Sequence, residues 1–200
     1  MYRIFKDDCT IFLVDSLTNR NEPAFFYWDN QDVDFINQLI LRYPERLFFY
    51  YHDLETLFVQ FKSKFTSIIA AGGLVLNSSK ELLVIFRNGK WDLPKGKVED
   101  NEEIDVASMR EVQEECGIDC IEIKHVLGKT YHLYDLNSKH YFKTTHWFLM
   151  ETSQTQNLQP QLEEGITEVK WTTIDNLDVV FQNTFQNIKE VILEYLKGEY

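Results

Sequence analysis

The 200-residue chain has only three cysteines, four prolines and eight glycines, and it lacks any long apolar run. Cys9, Cys116 and Cys120 form no CxxC pair, so we expect reduced, mostly buried thiols in a cytoplasmic protein. No apolar stretch approaches the roughly 20 residues of a membrane span. Charged residues interrupt the apolar ones near the N-terminus, which argues against a signal peptide. A membrane protein is therefore not expected.

The chain also lacks a linker rich in glycine, serine or proline. Residues 1–64 have the pattern of a small α/β unit, with short strands, an aromatic strand and helices near residues 31–42 and 54–64. The sequence pattern changes from Phe65 onward, although no such linker separates residues 65–200 from the first region. We therefore predict two regions, an accessory unit over 1–64 that packs rather than swings freely, and a main domain over 65–200.

Two aromatic runs, AFFYW at residues 24–28 and LFFYY at residues 47–51, lie in strands predicted for the first region. Core packing is the simplest interpretation of such runs, because large aromatic side chains dominate protein interiors. A binding face is the alternative.

Negative charge dominates, with a net charge of −12. This disfavours binding to nucleic acid or to an anionic membrane, but it allows a polyanionic substrate if metal ions supply positive charge. The acids are concentrated between Val98 and Ile123, where ten acidic residues face one base, Arg110. The acidity is therefore largely local.

Beyond residue 65 the pattern predicts a mixed sheet with helices on its faces, an α+β fold. Strands are expected near residues 67–76, 82–87, 119–134, 141–151 and 167–172, and Asn88-Gly89 predicts a hairpin. A helix near residues 102–116 should end at Gly117, and a last amphipathic helix should carry apolar residues from Phe185 to Leu196 on one face.

The helix that ends at Gly117 gathers three carboxylates, Glu111, Glu114 and Glu115, on one face. A solvated acidic face would usually carry Lys or Arg four residues away, and only Arg110 offers this. Val106, Met109, Val112 and Cys116 can pack on the far side. Clustered carboxylate oxygens are what Mg²⁺ or Mn²⁺ requires, so we predict a metal site.

The segment from Gly96 to Ile118 resembles the complete Nudix box, G-x5-E-x7-R-E-U-x-E-E-x-G-U, in which U is aliphatic. The likeness extends through WDLPKGK and EEGITEVKW to about residues 66–197. The resemblance implies an αβα sandwich that hydrolyses a nucleoside diphosphate linked to another group. It implies metal ligands at Glu111, Glu114, Glu115 and the Gly96 carbonyl, with Arg110 beside the catalytic glutamates, and structural roles for Glu102 and Gly117.

The sequence leaves two alternatives for the residue that accepts the proton. Family members draw it from the helix or from a later loop, so Glu114 is one candidate and Glu163 or Glu164 is the other. Among the basic residues, Lys95 and Lys97 bracket Gly96, Arg87 ends a strand, and Lys143 lies on a later strand. We predict contacts from these four residues to substrate phosphates.

The expected function is metal-dependent pyrophosphohydrolysis of a small nucleotide substrate. Tyr134 lies 16 residues beyond Ile118, a position that the family associates with dinucleoside polyphosphates, so these are the predicted substrates. The alternatives are ADP-sugars, diphosphoinositol compounds or capped RNA, an isomerase on the same fold, and a non-catalytic nucleotide sensor. A homodimer is a further expectation.

Overall fold

The computed structural model describes residues 1–198, and the chain forms two compact units. The first unit comprises Met1–Ile68 together with Tyr131–Thr144. The second comprises Ile69–Thr130 and the described chain from Thr145 onward. The first segment ends close to the boundary expected after residue 64, but the contribution of residues 131–144 to the first unit was not anticipated.

The first unit contains strands β1 (Tyr2–Lys6), β2 (Cys9–Val14), β3 (Phe25–Tyr27) and β4 (Arg46–Tyr50), and helices α1 (Val33–Arg42) and α2 (Leu54–Lys62). Its strand order is β1-β2-β4-β3, and on the other side of β1 lies the hairpin from residues 131–144. Strand β1 is antiparallel to β2, whereas β3 and β4, and β2 and β4, are parallel.

Local signals define both helices of this unit. The carboxylates of Asp32 and Asp53 accept the backbone N–H groups of Phe35 and Thr56, which caps α1 and α2 at their N-termini. Both helices pack on the same face of the sheet, where their apolar residues join one buried cluster. That cluster receives alternate strand residues, among them Ile4, Ile11, Leu13, Leu47, Phe49 and Phe142.

The second unit contains β6 (Leu82–Arg87), β7 (Lys90–Asp92), β8 (Lys95–Lys97) and β11 (Ile166–Thr172). It also contains the second-unit parts of three longer strands, β5 (Thr66–Leu76), β9 (Glu122–Leu136) and β10 (Lys139–Glu151). Its helices are α3 (Ile104–Cys116), α4 (Leu177–Gln182) and α5 (Gln186–Lys197). The strand order is β11-β6-β5-β10-β9, with β7 beside β6 and β8 beside β5.

Side-chain alternation places a core on each face of this sheet. Val75 of β5 and Met150 of β10 pack with Val112 and Cys116 of α3, whereas their neighbours Leu74 and Leu149 pack with α4 and α5. The unit is therefore an αβα sandwich, which confirms the predicted fold class.

Several details differ from the expectations. The short strand β8 and the helix α4 were not predicted, whereas β7 is the second arm of the hairpin expected at Asn88-Gly89. Cys9 and Cys116 are buried as expected, but Cys120 is exposed. Val106 is 49% exposed, because it lies on the side of α3 away from the sheet. Within residues 1–198, no helix has both the length and the apolar character needed to cross a membrane.

Candidate active site

Strand β8 brings Gly96 against the acidic helix. Gly96 pairs with Ala71 of β5, and a Cβ atom added to Gly96 would overlap the Glu111 carboxylate. Gly72 of β5 is equally constrained, since a Cβ there would overlap Lys95 and the Pro94 carbonyl. Glycines at these positions therefore allow the strands and the carboxylate to approach closely.

Arg110 organises the carboxylates at the exposed end of the cluster. Its guanidinium binds both oxygens of Glu102, with Nε to Oε1 at 2.7 Å and Nη2 to Oε2 at 2.8 Å. Nη1 donates to Glu111 Oε1 at 2.8 Å and to Glu114 Oε2 at 2.9 Å. Nη2 also donates to the Lys97 carbonyl. One cation thus holds three glutamates and the strand that contains Gly96.

The pKa values of these groups follow from their contacts. The Arg110 guanidinium and the Glu99 backbone N–H lower the pKa of Glu102 to about 2. Burial raises the pKa of Glu111, and the charges of Glu114 and Glu164 add to that effect, while Arg110 opposes it. Glu111 is therefore a carboxylate whose charged form needs additional positive charge beside it.

Glu115 is buried rather than facing an open cleft as the helical arc suggested, with only 1% of the residue exposed. Its Oε2 accepts the backbone N–H of Lys95 at 2.8 Å, and its Oε1 accepts from Arg87 Nη1 at 3.2 Å. Burial raises its pKa to about 7, although Lys95 and Arg87 oppose this shift.

Arg87 joins Glu115 to the loop that precedes β11. Its Nη2 donates to Glu164 Oε2 at 2.6 Å. Glu164 ends a short 3-10 helix over Leu162–Glu164, and Gly165 follows in the left-handed region at φ 74°. Two residues 77 positions apart in the chain therefore meet, and Glu164, one of the alternative proton acceptors, lies next to the glutamates of α3. Glu163 is exposed.

Lys95 is paired inside the protein. Its ammonium binds the carboxylate of Asp92, and both side chains are nearly buried, at 11% and 5% exposed. Asp92 also accepts the backbone N–H of Leu93 at 2.8 Å. Sequence reasoning missed Asp92; the available signal was an acidic residue between two apolar ones in WDLPK. In contrast, Lys97 is exposed.

The remaining predicted contacts lie in the first unit. Tyr134 stacks on Tyr141, with ring centroids 5.1 Å apart and an interplanar angle of 16°. Lys143 follows on the same strand, β10, within residues 131–144. Their contacts to substrate stay predictions.

The donor chemistry fits Mg²⁺ or Mn²⁺. Three glutamates on consecutive turns of α3 supply only carboxylate oxygens, and the missing Cβ of Gly96 leaves its backbone directly against Glu111. In the described part of the chain, however, no three acidic, histidine or cysteine side chains form a group ready to hold an ion. The reason is visible: Arg110 binds Glu111 and Glu114, while Arg87 and the Lys95 N–H bind Glu115.

The second unit is an αβα sandwich in which the strand that contains Gly96 lies against a helix whose glutamates bind Arg110. This is the arrangement of the Nudix fold. The model of the NUDIX domain matches residues 66–195, and the chain belongs to the Nudix family. This confirms the resemblance inferred from the box.

Two curated relatives match over short segments. Nudix hydrolase 8 of Arabidopsis thaliana is 41% identical over 58 residues, covering 26% of this chain and 16% of the relative. The 8-oxo-dGDP phosphatase NUDT18 of Danio rerio is 41% identical over 61 residues, covering 28% of this chain and 19% of the relative. The match therefore spans less than a fifth of either relative.

Solved structures resemble the chain over a larger part. A MutT protein from Methanosarcina mazei Go1 gives a TM-score of 0.52 at 20% identity and covers 68% of this chain and 99% of that one. An Ap4A hydrolase from C. elegans gives a TM-score of 0.51 at 19% identity and covers 65% of this chain and 96% of that one. At these identities, the likeness concerns the fold.

Proposed function

We propose that this protein is a divalent-metal-dependent pyrophosphohydrolase that cleaves a phosphoanhydride bond in a nucleoside diphosphate linked to another group. The observation that carries the proposal is the set of three glutamates on α3, packed against Gly96 and held by Arg110 and Arg87. Glu111, Glu114, Glu115 and the Gly96 carbonyl would hold the metal. When bound, the metal neutralises phosphate charge and acidifies a water molecule for attack on phosphorus.

The chain's own residues have distinct parts in this proposal. Arg110 orients Glu111 and Glu114 and fixes them to the strand at Lys97. Arg87 holds Glu164 beside Glu115. Glu114 and Glu164 are the two alternative proton acceptors, and each accepts an arginine hydrogen bond at its Oε2 atom.

For the substrate, we propose a dinucleoside polyphosphate. Lys97 is the exposed lysine of β8, and Tyr134 is the candidate for stacking on a base. The relative from Danio rerio is named for a phosphatase acting on a nucleoside diphosphate, which agrees with phosphoanhydride chemistry. ADP-sugars and diphosphoinositol compounds are the alternatives, as is a non-catalytic nucleotide sensor, which intact glutamates on α3 disfavour.

The decisive experiment measures kcat and KM for a panel of dinucleoside polyphosphates, ADP-sugars, nucleoside triphosphates and inositol pyrophosphates, with Mg²⁺ or with excess chelator, and identifies the products. Glu114→Gln should lower kcat by about 100-fold or more, because a charged group at the reaction centre is lost. Glu194→Gln is the matched control, since Glu194 is also a helical glutamate in an ion pair but lies on α5. Full turnover in chelator would refute the metal dependence.

The substrate assignment has its own test. Tyr134→Ala should raise KM for diadenosine tetraphosphate more than for ATP. If ADP-ribose gives by far the highest kcat/KM with the wild-type protein, the substrate proposal fails while the proposed metal site stands.

A further inference from the structure

The chain between β10 and β11, residues 152–165, lies against the C-terminal end of α3, and we call it the tether. The last carbonyl groups of an α-helix have no partner within the helix and need donors from elsewhere. The tether supplies donors to three consecutive carbonyls: the backbone N–H of Gln161 bonds Glu115 at 3.3 Å, that of Gln159 bonds Cys116 at 2.9 Å, and the Gln154 side chain bonds Gly117 at 2.9 Å. The tether is therefore fixed to the helix that contains the candidate metal ligands.

Gln154 provides the side-chain bonds near the start of the tether. Its Nε2 donates to the carbonyls of Gly117 and Gln156, at 2.9 Å and 3.2 Å. Its Oε1 accepts the backbone N–H of Asp119 at 3.1 Å, and its own backbone N–H donates to Thr152 Oγ1. One amide thus uses both its donors and its acceptor, and two of these three bonds reach the chain that follows α3.

The far end of the tether contains Glu164. Its Oε2 accepts from Arg87 Nη2 at 2.6 Å, and Arg87 Nη1 donates to Glu115 Oε1 at 3.2 Å. The backbone N–H of Glu164 donates to the carbonyl of Gln161, whose own N–H bonds the Glu115 carbonyl. These contacts form a closed ring, so a shift of the tether along α3 changes where the Glu164 carboxylate lies relative to Glu115.

We propose that Gln154 is a positioning residue for the hydrolysis and that it acts on turnover through Glu164. Its amide fixes the start of the tether to the end of α3, and the tether holds the Glu164 carboxylate beside the glutamates of that helix. The inference rests on the proposed function and takes Glu164, rather than Glu114, as the proton acceptor. None of the four hydrogen-bond partners of Gln154 named above is a proposed metal ligand, so its effect on turnover passes through the tether.

The test compares Gln154→Ala with the wild type, using Mg²⁺ and the substrate of the panel that the wild type cleaves best. Gln154→Ala should lower kcat about tenfold while KM stays within about twofold, because a small displacement of a catalytic group reduces the rate by at least this factor. Gln154→Glu keeps the length of the side chain and an acceptor for Asp119, but it lacks the donor to Gly117, so kcat should fall similarly.

Gln31→Ala is the matched control. The Gln31 side chain also joins a backbone carbonyl, that of Tyr27, to a backbone N–H, that of Asp29, each at 3.0 Å, but it lies in the first unit. Its kcat and KM should equal those of the wild type. Circular dichroism and Tm establish that each variant is folded.

A double variant separates positioning from other effects on the rate. Glu164→Gln should lower kcat about 100-fold or more, as expected for loss of a proton acceptor. Adding Gln154→Ala to Glu164→Gln should cause no further loss, because the carboxylate through which Gln154 acts is already absent.

Amide hydrogen exchange of the metal-free protein, measured by NMR, gives a readout that does not depend on turnover. In Gln154→Ala the backbone amides of Gln159 and Gln161 should exchange about fivefold faster than in the wild type, as expected when one hydrogen bond of the tether is lost. The amide of Val112, in the middle of α3, should exchange at the wild-type rate.

Three results would overturn the inference. The first is a wild-type kcat in Gln154→Ala or in Glu164→Gln. The second is an equal loss of kcat from Gln154→Ala with and without Glu164→Gln, since the effect would then bypass Glu164. The third is unchanged exchange at Gln159 and Gln161. If the wild type cleaves no compound of the panel, the proposed function fails together with the role in turnover, and hydrogen exchange then decides on the tether alone.

Discussion

The buried pair of Lys95 and Asp92 allows a quantitative test of how the entry to the acidic helix is built. Their side chains are 11% and 5% exposed, and Lys95 Nζ lies 3.4 Å from the Leu93 carbonyl in addition to its bond with Asp92. Removing one member of a buried ion pair leaves an uncompensated charge and costs about 3–5 kcal/mol. We expect Lys95→Met to lower the free energy of unfolding by about 3 kcal/mol.

Asp92→Asn should lower the free energy of unfolding by a similar amount. The effects of the two substitutions should not add in the double variant. Asp92→Asn strands the Lys95 ammonium in the interior, so a loss of about 3 kcal/mol is expected. The double variant Lys95→Met with Asp92→Asn removes both charges and should recover about 2–3 kcal/mol of the summed loss. Urea denaturation followed by tryptophan fluorescence, together with calorimetric Tm values, measures the whole cycle.

Lys97→Met is the matched control, because Lys97 lies two residues away on the same strand and is exposed. Its stability should stay within about 0.5 kcal/mol of the wild type, while KM rises if Lys97 meets phosphate. The reasoning is refuted if Lys95→Met keeps wild-type stability and raises KM instead. In that case the Lys95 ammonium contacts substrate, as the sequence predicted.

Three further predictions follow from other parts of the chain. Gly117→Ala should lower the free energy of unfolding by about 2 kcal/mol and Gly198→Ala by about 1 kcal/mol, as measured by urea denaturation. Both glycines cap helices in the left-handed conformation, but only at Gly117 would an added Cβ meet a neighbour, Gln159, at 2.8 Å. Equal losses would show that this contact is unimportant. Because the pKa of Glu102 is lowered to about 2, its stabilising effect is complete above its unfolded value near 4.5 and disappears as pH falls towards 2. The Tm difference between wild type and Glu102→Gln should shrink over that range, and a constant difference would contradict this. Finally, a fragment of residues 65–200 should aggregate unless Phe142, buried in the core of the first unit, becomes polar; a monodisperse, fully active fragment would be the contrary result in light scattering.

Most of the secondary structure could be predicted because its signals are local. The helix α3 ends where Gly117 takes the left-handed conformation, and Asp32 and Asp53 cap the two helices of the first unit. Asn88-Gly89 forms the expected turn between β6 and β7, with positive φ at both residues. Such signals depend on near neighbours in the chain, so a sequence pattern contains them.

The spacing of the Nudix box also determined which glutamates share a helix face and which arginine lies among them. Contacts between segments that are distant in the chain could not be predicted from this spacing. Arg87 meets Glu164 only because β11 pairs with β6, where Arg87 lies opposite Ile166. The box likewise gave no sign that Glu115 would be buried, since helical periodicity specifies direction but not what covers a side chain.

By itself, the sequence determined the family, the αβα class, the order of the longer strands and helices, and the acidic helix with its arginine. The tertiary structure alone decided that Lys95 pairs with Asp92, that residues 131–144 join the first unit, and that alternate residues of each aromatic run join the core of that unit. The physical reason is the range of the interactions. Caps, turns and periodicity act over a few residues, whereas ion pairs, burial and sheet partners depend on which distant segments the folded chain brings together.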